Sequence, residues 1–129
     1  QKIEEVGIEN NVKMLGFMSN PFPILSNAKA FIMTSRFEGT PMVALEAQAL
    51  GIPIVSTPVD GLKDIVINDE NGYLSNDDDE LANKLLRLVT DNDYQTKLSE
   101  NSKHFSQEYN NIENYKREII QCYGESEGK

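Results

Sequence analysis

The sequence predicts an α/β fold, a Rossmann-like parallel sheet with helices on both faces. Three observations point there. The runs Ala30 to Thr34 (AFIMT) and Pro53 to Ser56 (PIVS) are continuously apolar rather than alternating, as in strands buried on both faces. Segments with helical periodicity and legible start and stop signals follow each of them. The 129 residues contain no internal repeat and no low-complexity tract, so one domain over 1–129 is expected.

The elements read in order as follows. Gln1 to Gly7 (QKIEEVG) has apolar Ile3 and Val6 and ends on a glycine, like the tail of a helix closed by a left-handed cap. Val12 to Phe17 (VKMLGF) reads as a short strand. Asn20 to Asn27 is punctuated by Pro21 and Pro23, so it predicts a turn and then one short helix. The strand Ala30 to Thr34 leads into a polar loop, Ser35 to Thr40. Thr40 suits a helix N-cap, Pro41 the first helical position, and Gly51 the stop after Leu50. Pro53 to Ser56 is the next strand, followed by the loop Thr57 to Gly61 and a helical turn near Leu62 to Ile67. Asn71-Gly72 predicts a turn and Tyr73-Leu74 a brief strand. Asp77 to Thr90 is a helix with Leu81, Leu85, Leu88 and Val89 on its apolar side. Two further helices are expected, Asp93 to Phe105 and Ile112 to Tyr123.

Composition narrows the function. The net charge is -9, which argues against nucleic acid as a partner, since phosphate backbones need a basic face. No apolar run approaches the ~20 residues of a membrane span. The single cysteine, Cys122, has no CxxC partner, which disfavours a thiolate metal site and fits a reducing compartment. The chain opens with Gln1 rather than methionine, which predicts a piece of a longer protein.

One stretch asks for a chemical reason: EGTPMVALEA, from Glu38 to Ala47. In a parallel α/β sheet, ligands bind beyond the carboxyl ends of the strands. The loops at Phe17-Met18, Ser35 to Thr40 and Thr57 to Gly61 are expected at that end. The amides of Met42 and Val43 open a helix and lack intrahelical partners, so with the helix dipole they favour an anion. Gly39 leaves room for a ligand to approach the backbone. Pro41 has no amide to donate. Glu46 lies five residues past Pro41, roughly 7–8 Å along the axis at ~1.5 Å per residue. A carboxylate there suits a vicinal diol, and Glu38 would face a group carried on the far phosphate. Read this way, the stretch cradles a nucleoside diphosphate sugar. The residues alone leave a plainer alternative open, in which Glu38 is a solvated loop residue and Glu46 an exposed helix residue.

EGTPMVALEAQALGIPIVS resembles the E-x7-E signature, and the strand after it, of the C-terminal domain of retaining GT-B glycosyltransferases, family 4 (glycosyl transferases group 1). NNVKMLGF, AKAFIMTS and TPVDGLKDIVINDENGYL resemble the family's flanking strands and loops. The family often has a second glycine where Asp60 stands and a glutamate where Asp64 stands. The resemblance implies that Glu46 binds the nucleotide ribose. It implies that Glu38 contacts the transferred sugar and is the catalytic residue. Gly39, Thr40, Pro41, Met42 and Val43 would surround the sugar and diphosphate, and Phe17 and Met18 the base. It further implies a nucleotide-sugar donor, no metal and no cofactor. A glycan or lipid-linked acceptor would be bound by an N-terminal domain that is absent here. A bacterial cytoplasmic setting follows, at the inner face of the membrane, with peripheral membrane association of the full-length protein. The family's diphosphate-binding Arg and Lys precede everything present in this chain, so the chain alone is expected to be inactive. The runner-up is a non-catalytic nucleotide or sugar-phosphate binding module; an interaction domain using the C-terminal helices is a third reading.

Other signals carry plainer meanings. Asp77-Asp78-Asp79-Glu80 contains D-x-D, a metal motif elsewhere, but Asp77 followed by Glu80 reads as an N-terminal cap. His104 stands without an evident partner, and Arg36 reads as a solvated loop residue.

Overall fold

In a computed structural model the described residues are 2–36, 42–109 and 121. The elements in chain order are α1 (Lys2–Glu5), α2 (Phe22–Leu25), β1 (Phe31–Met33), α3 (Met42–Ala49) and β2 (Ile54–Ser56). They continue with α4 (Asp60–Lys63), β3 (Gly72–Leu74), α5 (Asp78–Thr90) and α6 (Asn92–Tyr109). The three strands form one parallel sheet in the order β1-β2-β3, with Ile54 paired to Phe31 on one side and Gly72 on the other.

Successive residues of a strand point to opposite faces, and β2 shows it. Ile54 joins a core with Ala44, Val59, Leu62, Ile65 and Val66, which belongs to α3 and α4. Val55 joins a second core with Leu81, Leu88, Tyr94 and Leu98, which belongs to α5 and α6. Both faces of β2 are thereby covered, as the apolar PIVS run predicts. The helix α6 serves both cores: Tyr94 and Leu98 pack in the second, while Phe105 packs against the first.

The two long helices, α5 and α6, start where carboxylates satisfy orphan amides. Asp77 caps α5, its carboxylate accepting from Asp79 N at 2.8 Å and Glu80 N at 3.3 Å. Gly51 ends α3 at φ +75°, and a β-carbon there would meet the Lys103 side chain of α6. At Gly72 a β-carbon would lie 2.2 Å from the Ile54 carbonyl oxygen, so β3 can pair with β2 only because this position is bare.

A buried polar knot ties the layers. Gln48 of α3 donates to the Ile65 carbonyl at 2.7 Å, and Asn71 donates to the same oxygen at 3.0 Å. Asn71 Oδ1 also accepts from Ile67 N at 2.7 Å. Ser102 of α6 donates to the Asn71 carbonyl at 3.2 Å.

Several expectations need correction. Val12 to Phe17 forms no strand, because Gly16 sits in the left-handed region at φ +66° and no described strand pairs with the segment. Ala30 to Thr34 is not buried on both faces: Ile32 is 49% exposed, because the space between it and α5 is an open cleft. The turn expected near Leu62 to Ile67 begins earlier, as α4 at Asp60, behind an extended Val59. Val89 is exposed, so the buried stripe of α5 is narrower than its apolar pattern. The helix expected at Ile112 to Tyr123, with Cys122, lies outside the described residues except for Gln121, which is helical.

Two substitutions test this packing. Gly72→Ala should lower stability by about 1–3 kcal/mol, the usual cost of overpacking, seen as a lower urea midpoint with an unchanged m-value. Asn71→Ala removes the buried bond to the Ile65 carbonyl and the acceptor of the partly buried Ile67 amide, and should cost about 1–3 kcal/mol in the same titration.

Candidate functional site

The carboxyl ends of the three strands open onto a cleft of about 760 Å³. Its floor is apolar: Ile32 from β1, and Leu81, Ala82 and Leu85 from α5. Its rim is polar: Thr34, Ser35 and Arg36 follow β1, Thr57 follows β2, and Asn76 and Asp78 precede or open α5. An apolar floor with a few polar groups around it is the usual make-up of a small-molecule site.

The rim is held by hydrogen bonds that extend the sheet beyond its last residues. Thr57 N donates to the Met33 carbonyl at 3.3 Å, and Thr57 Oγ1 donates to the Ser35 carbonyl at 2.5 Å. The Thr57 carbonyl accepts from Ser56 Oγ at 2.9 Å and from Val59 N at 2.9 Å. Ser75 N donates to the Ser56 carbonyl at 3.1 Å.

The first turn of α3 is open to solvent. Met42 is 67% and Val43 39% exposed. Ala44, Ala47 and Gln48 are buried and Leu45 packs on the core, so the outer side of the helix is left to Met42, Val43, Glu46 and Ala49. Glu46 follows Met42 by four residues and Val43 by three, which puts all three on one side of the helix. Glu46 is half-buried.

The sequence profile of the glycosyl transferases group 1 family matches residues 1–105. The chain belongs to that family. This group 1 chain is 34% identical over 116 residues to an uncharacterized glycosyltransferase of Methanocaldococcus jannaschii, covering 84% of this chain and 33% of that one. The chain thus spans about a third of the length of this curated relative. The structure of HepE from Anabaena in complex with UDP superposes with a TM-score of 0.85 at 24% identity, covering 96% of this chain and 35% of HepE. TarM of S. aureus, in complex with UDP, fondaparinux and alpha-GlcNAc-glycerol, superposes with a TM-score of 0.78 at 27% identity. That match covers 82% of this chain and 22% of TarM. The architecture is a truncated Rossmann-like α/β domain of the kind found in GT-B glycosyltransferases.

The site residues expected of the group 1 chain are placed unevenly. Met42, Val43 and Glu46 share the outer side of α3, and none of the three lines the cleft. Glu38, Gly39, Thr40 and Pro41 lie outside the described residues. Phe17 is 97% exposed and Met18 half-buried; neither lines the cleft. Arg36 does line it, as do Thr57, Asn76 and Asp78, which the sequence reading did not single out as site residues. Their shared signal is position: each follows a strand by one to four residues.

At the opposite edge of the sheet lies a second cluster of charge. Asp69, at φ +61°, accepts from Lys84 Nζ and from the Tyr94 hydroxyl, each at 2.6 Å. Lys84 also sits 4.5 Å from the Tyr73 ring centroid, and Arg87 lies 3.8 Å from that of Tyr94. Burial alone would raise the Asp69 pKa, but the hydrogen bonds from Lys84 and Tyr94 outweigh it and hold the carboxyl below its ordinary 3.8. Burial pushes the Tyr94 hydroxyl up, helped by the Asp69 carboxylate. These groups satisfy one another and brace the turn before β3 against α5 and α6. The carboxylate of Asp77 is likewise taken up by capping, and His104 pairs with Glu108 at 3.3 Å on an exposed face.

The depressed Asp69 pKa fixes the sign of one pH effect. Its contribution to stability is fully present above pH 3.8 and is lost as pH falls through the lower, folded-state value. Asp69→Asn keeps a residue tolerant of positive φ and should remove that part of the acid limb. Thermal melts of both proteins from pH 6 to about pH 2 should therefore converge at the acid end.

Proposed function

We propose that this chain is the donor-binding part of a glycosyltransferase of family 4. The full-length enzyme transfers a sugar, with retention, from a nucleoside diphosphate sugar to a glycan or lipid-linked acceptor. The observation that carries the reading is the outer side of α3: exposed first-turn residues at the carboxyl edge of a parallel sheet, with a half-buried carboxylate one turn further along. Met42 and Val43 offer main-chain amides to the diphosphate, whose negative charge grows as the bond between the anomeric carbon and the phosphate oxygen breaks. Electrostatic stabilisation of that departing oxygen is the largest contribution a fixed set of donors makes to such a step. Glu46 accepts from the two ribose hydroxyls. Glu38 acts on the sugar at the reacting centre, flanked by Gly39, Thr40 and Pro41, while Phe17 and Met18 sit by the base. The UDP complex of TarM supports a nucleoside diphosphate as the leaving group.

In this reading the acceptor is bound by an N-terminal domain of the full-length protein, which associates peripherally with the inner face of the membrane. Among the described residues no helix is long and apolar enough to cross a membrane. The reaction uses no metal and no cofactor in this reading, the positive charge on the diphosphate coming from the helix start and from basic side chains upstream.

Calorimetric titration of the full-length protein with UDP, GDP and ADP tests the nucleotide site. One of the three should bind, and Glu46→Gln should weaken that binding about 10- to 100-fold, the worth of hydrogen bonds to a charged group. Glu38→Ala should depress sugar transfer at least about tenfold more than it depresses nucleotide affinity, as expected of a group acting mainly in the transition state. No binding of any of the three, or a Glu46→Gln protein that binds as well as wild type, refutes the assignment. Transfer should also survive EDTA, and the product linkage should keep the donor's anomeric configuration by NMR.

A further inference from the structure

We propose that Asn71 is a modification site gated by the fold: it deamidates through a succinimide with Gly72, and only when the buried knot opens. Of the asparagines in the chain, only Asn71 is followed by glycine. A glycine leaves its main-chain nitrogen unscreened by a side chain, and that nitrogen can attack Cγ of the preceding asparagine. The N–Cγ bond forms, the Cγ–Nδ2 bond breaks, and Nδ2 departs as ammonia with the Gly72 amide proton. Water then opens the succinimide ring at one carbonyl or the other and leaves aspartate or isoaspartate. The fold itself requires both residues where they stand. A β-carbon at position 72 would collide with the Ile54 carbonyl oxygen, and Asn71 closes the knot with both ends of its amide.

The folded chain blocks the reaction. Asn71 is 1% exposed. Its Nδ2 donates to the Ile65 carbonyl at 3.0 Å and its Oδ1 accepts from Ile67 N at 2.7 Å. The main chain around it is held as well: Asn71 N donates to the Ile67 carbonyl at 3.2 Å, and the Gly72 carbonyl accepts from Asp69 N at 2.9 Å. Ser102 of α6 holds the Asn71 carbonyl at 3.2 Å. Ring closure must turn the side-chain amide towards the Gly72 nitrogen, which these bonds oppose, and water must reach a site that excludes it. The reaction therefore runs from the open state, at a rate set by the open fraction. Its products cannot rebuild the knot. Aspartate lacks the amide donor and would set a carboxylate against the buried Ile65 carbonyl. Isoaspartate lengthens the main chain by a methylene just before Gly72 and spoils its register with Ile54.

The test uses the full-length protein, wild type and Ser102→Ala, held at neutral pH either folded or in urea above the unfolding midpoint. Aspartate and isoaspartate are quantified by mass spectrometry at each asparagine of the tryptic peptide 64–84. In urea, Asn71 should react before Asn68, Asn76 and Asn83. In folded wild type its conversion should be at least about a hundredfold slower than in urea, since attack waits on the opening of a buried segment. Ser102→Ala removes the hold on the Asn71 carbonyl and should quicken conversion in the folded protein about three- to tenfold, the worth of one net hydrogen bond. The rate in urea should not change. Asn71→Asp, which installs a product directly, should lower the urea midpoint. The proposal is overturned if Asn71 reacts as fast folded as unfolded, or if another asparagine of the peptide reacts first in urea. It is overturned equally if Ser102→Ala leaves the folded rate unchanged. An Asn71→Asp protein as stable as wild type refutes the damage to the knot.

Discussion

The carbonyl oxygen of Ile65 receives two buried hydrogen bonds, one from Gln48 and one from Asn71. Through them α3 is registered against the connection between β2 and β3. The Asn71 carbonyl in turn accepts from Ser102, which adds α6 to the same point. Apolar packing alone leaves helices free to slide, because it lacks direction, whereas hydrogen bonds in a buried setting fix relative position. A buried amide that loses its partner costs more than the bond itself contributes. The arrangement of α3 is thus set from its inner side, and its outer side, with Met42, Val43 and Glu46, inherits that placement.

The two edges of the sheet divide the labour. At the amino edge, Asp69, Lys84, Tyr94 and Arg87 neutralise one another at short range and lock the turn that delivers Gly72 to β2. At the carboxyl edge the polar groups are spread along a rim: hydroxyls, the amide of Asn76, and the charged Arg36 and Asp78. Charges already paired and hydrogen-bonded have little left to offer a ligand. The cleft instead sets Arg36, Asn76 and Asp78 around an apolar floor, which makes it the better place to look for binding.

The alternation of strand and helix was legible because each element carried its own punctuation. Thr-Pro before α3, Gly51 after it and Asp77 before α5 are local signals, and the structure uses Gly51 and Asp77 as expected. Segment 12–17 misled because an apolar run has the same pattern whether or not a neighbour pairs with it, and pairing is not local. Ile32 misled for the same reason, as exposure of one face of β1 depends on what lies across it. The Gln48–Ile65–Asn71–Ser102 knot was invisible, since its members are 17 and 31 residues apart and none is unusual in type. Thr57 was missed as well: a threonine after a strand carries no mark of the carbonyl it will reach.

The net charge of -9 and a diphosphate ligand are compatible once distance is considered. Screening at physiological salt removes most of the field beyond ~8 Å. Part of the acid is engaged locally. Asp77, Asp78, Asp79 and Glu80 cluster at the head of α5, where they oppose the positive end of that helix's own dipole. Asp69 and Asp91 are paired with cations at the other edge. What an anion meets at α3 is therefore decided by its nearest groups, the first-turn amides. The half-buried Glu46 would be repelled by a phosphate at contact, so on the proposed reading it must stand one turn back, at the distance of a ribose. The spacing between the helix start and that carboxylate is then a requirement of the ligand's own geometry, and a single-turn shift of Glu46 in either direction would be incompatible with it.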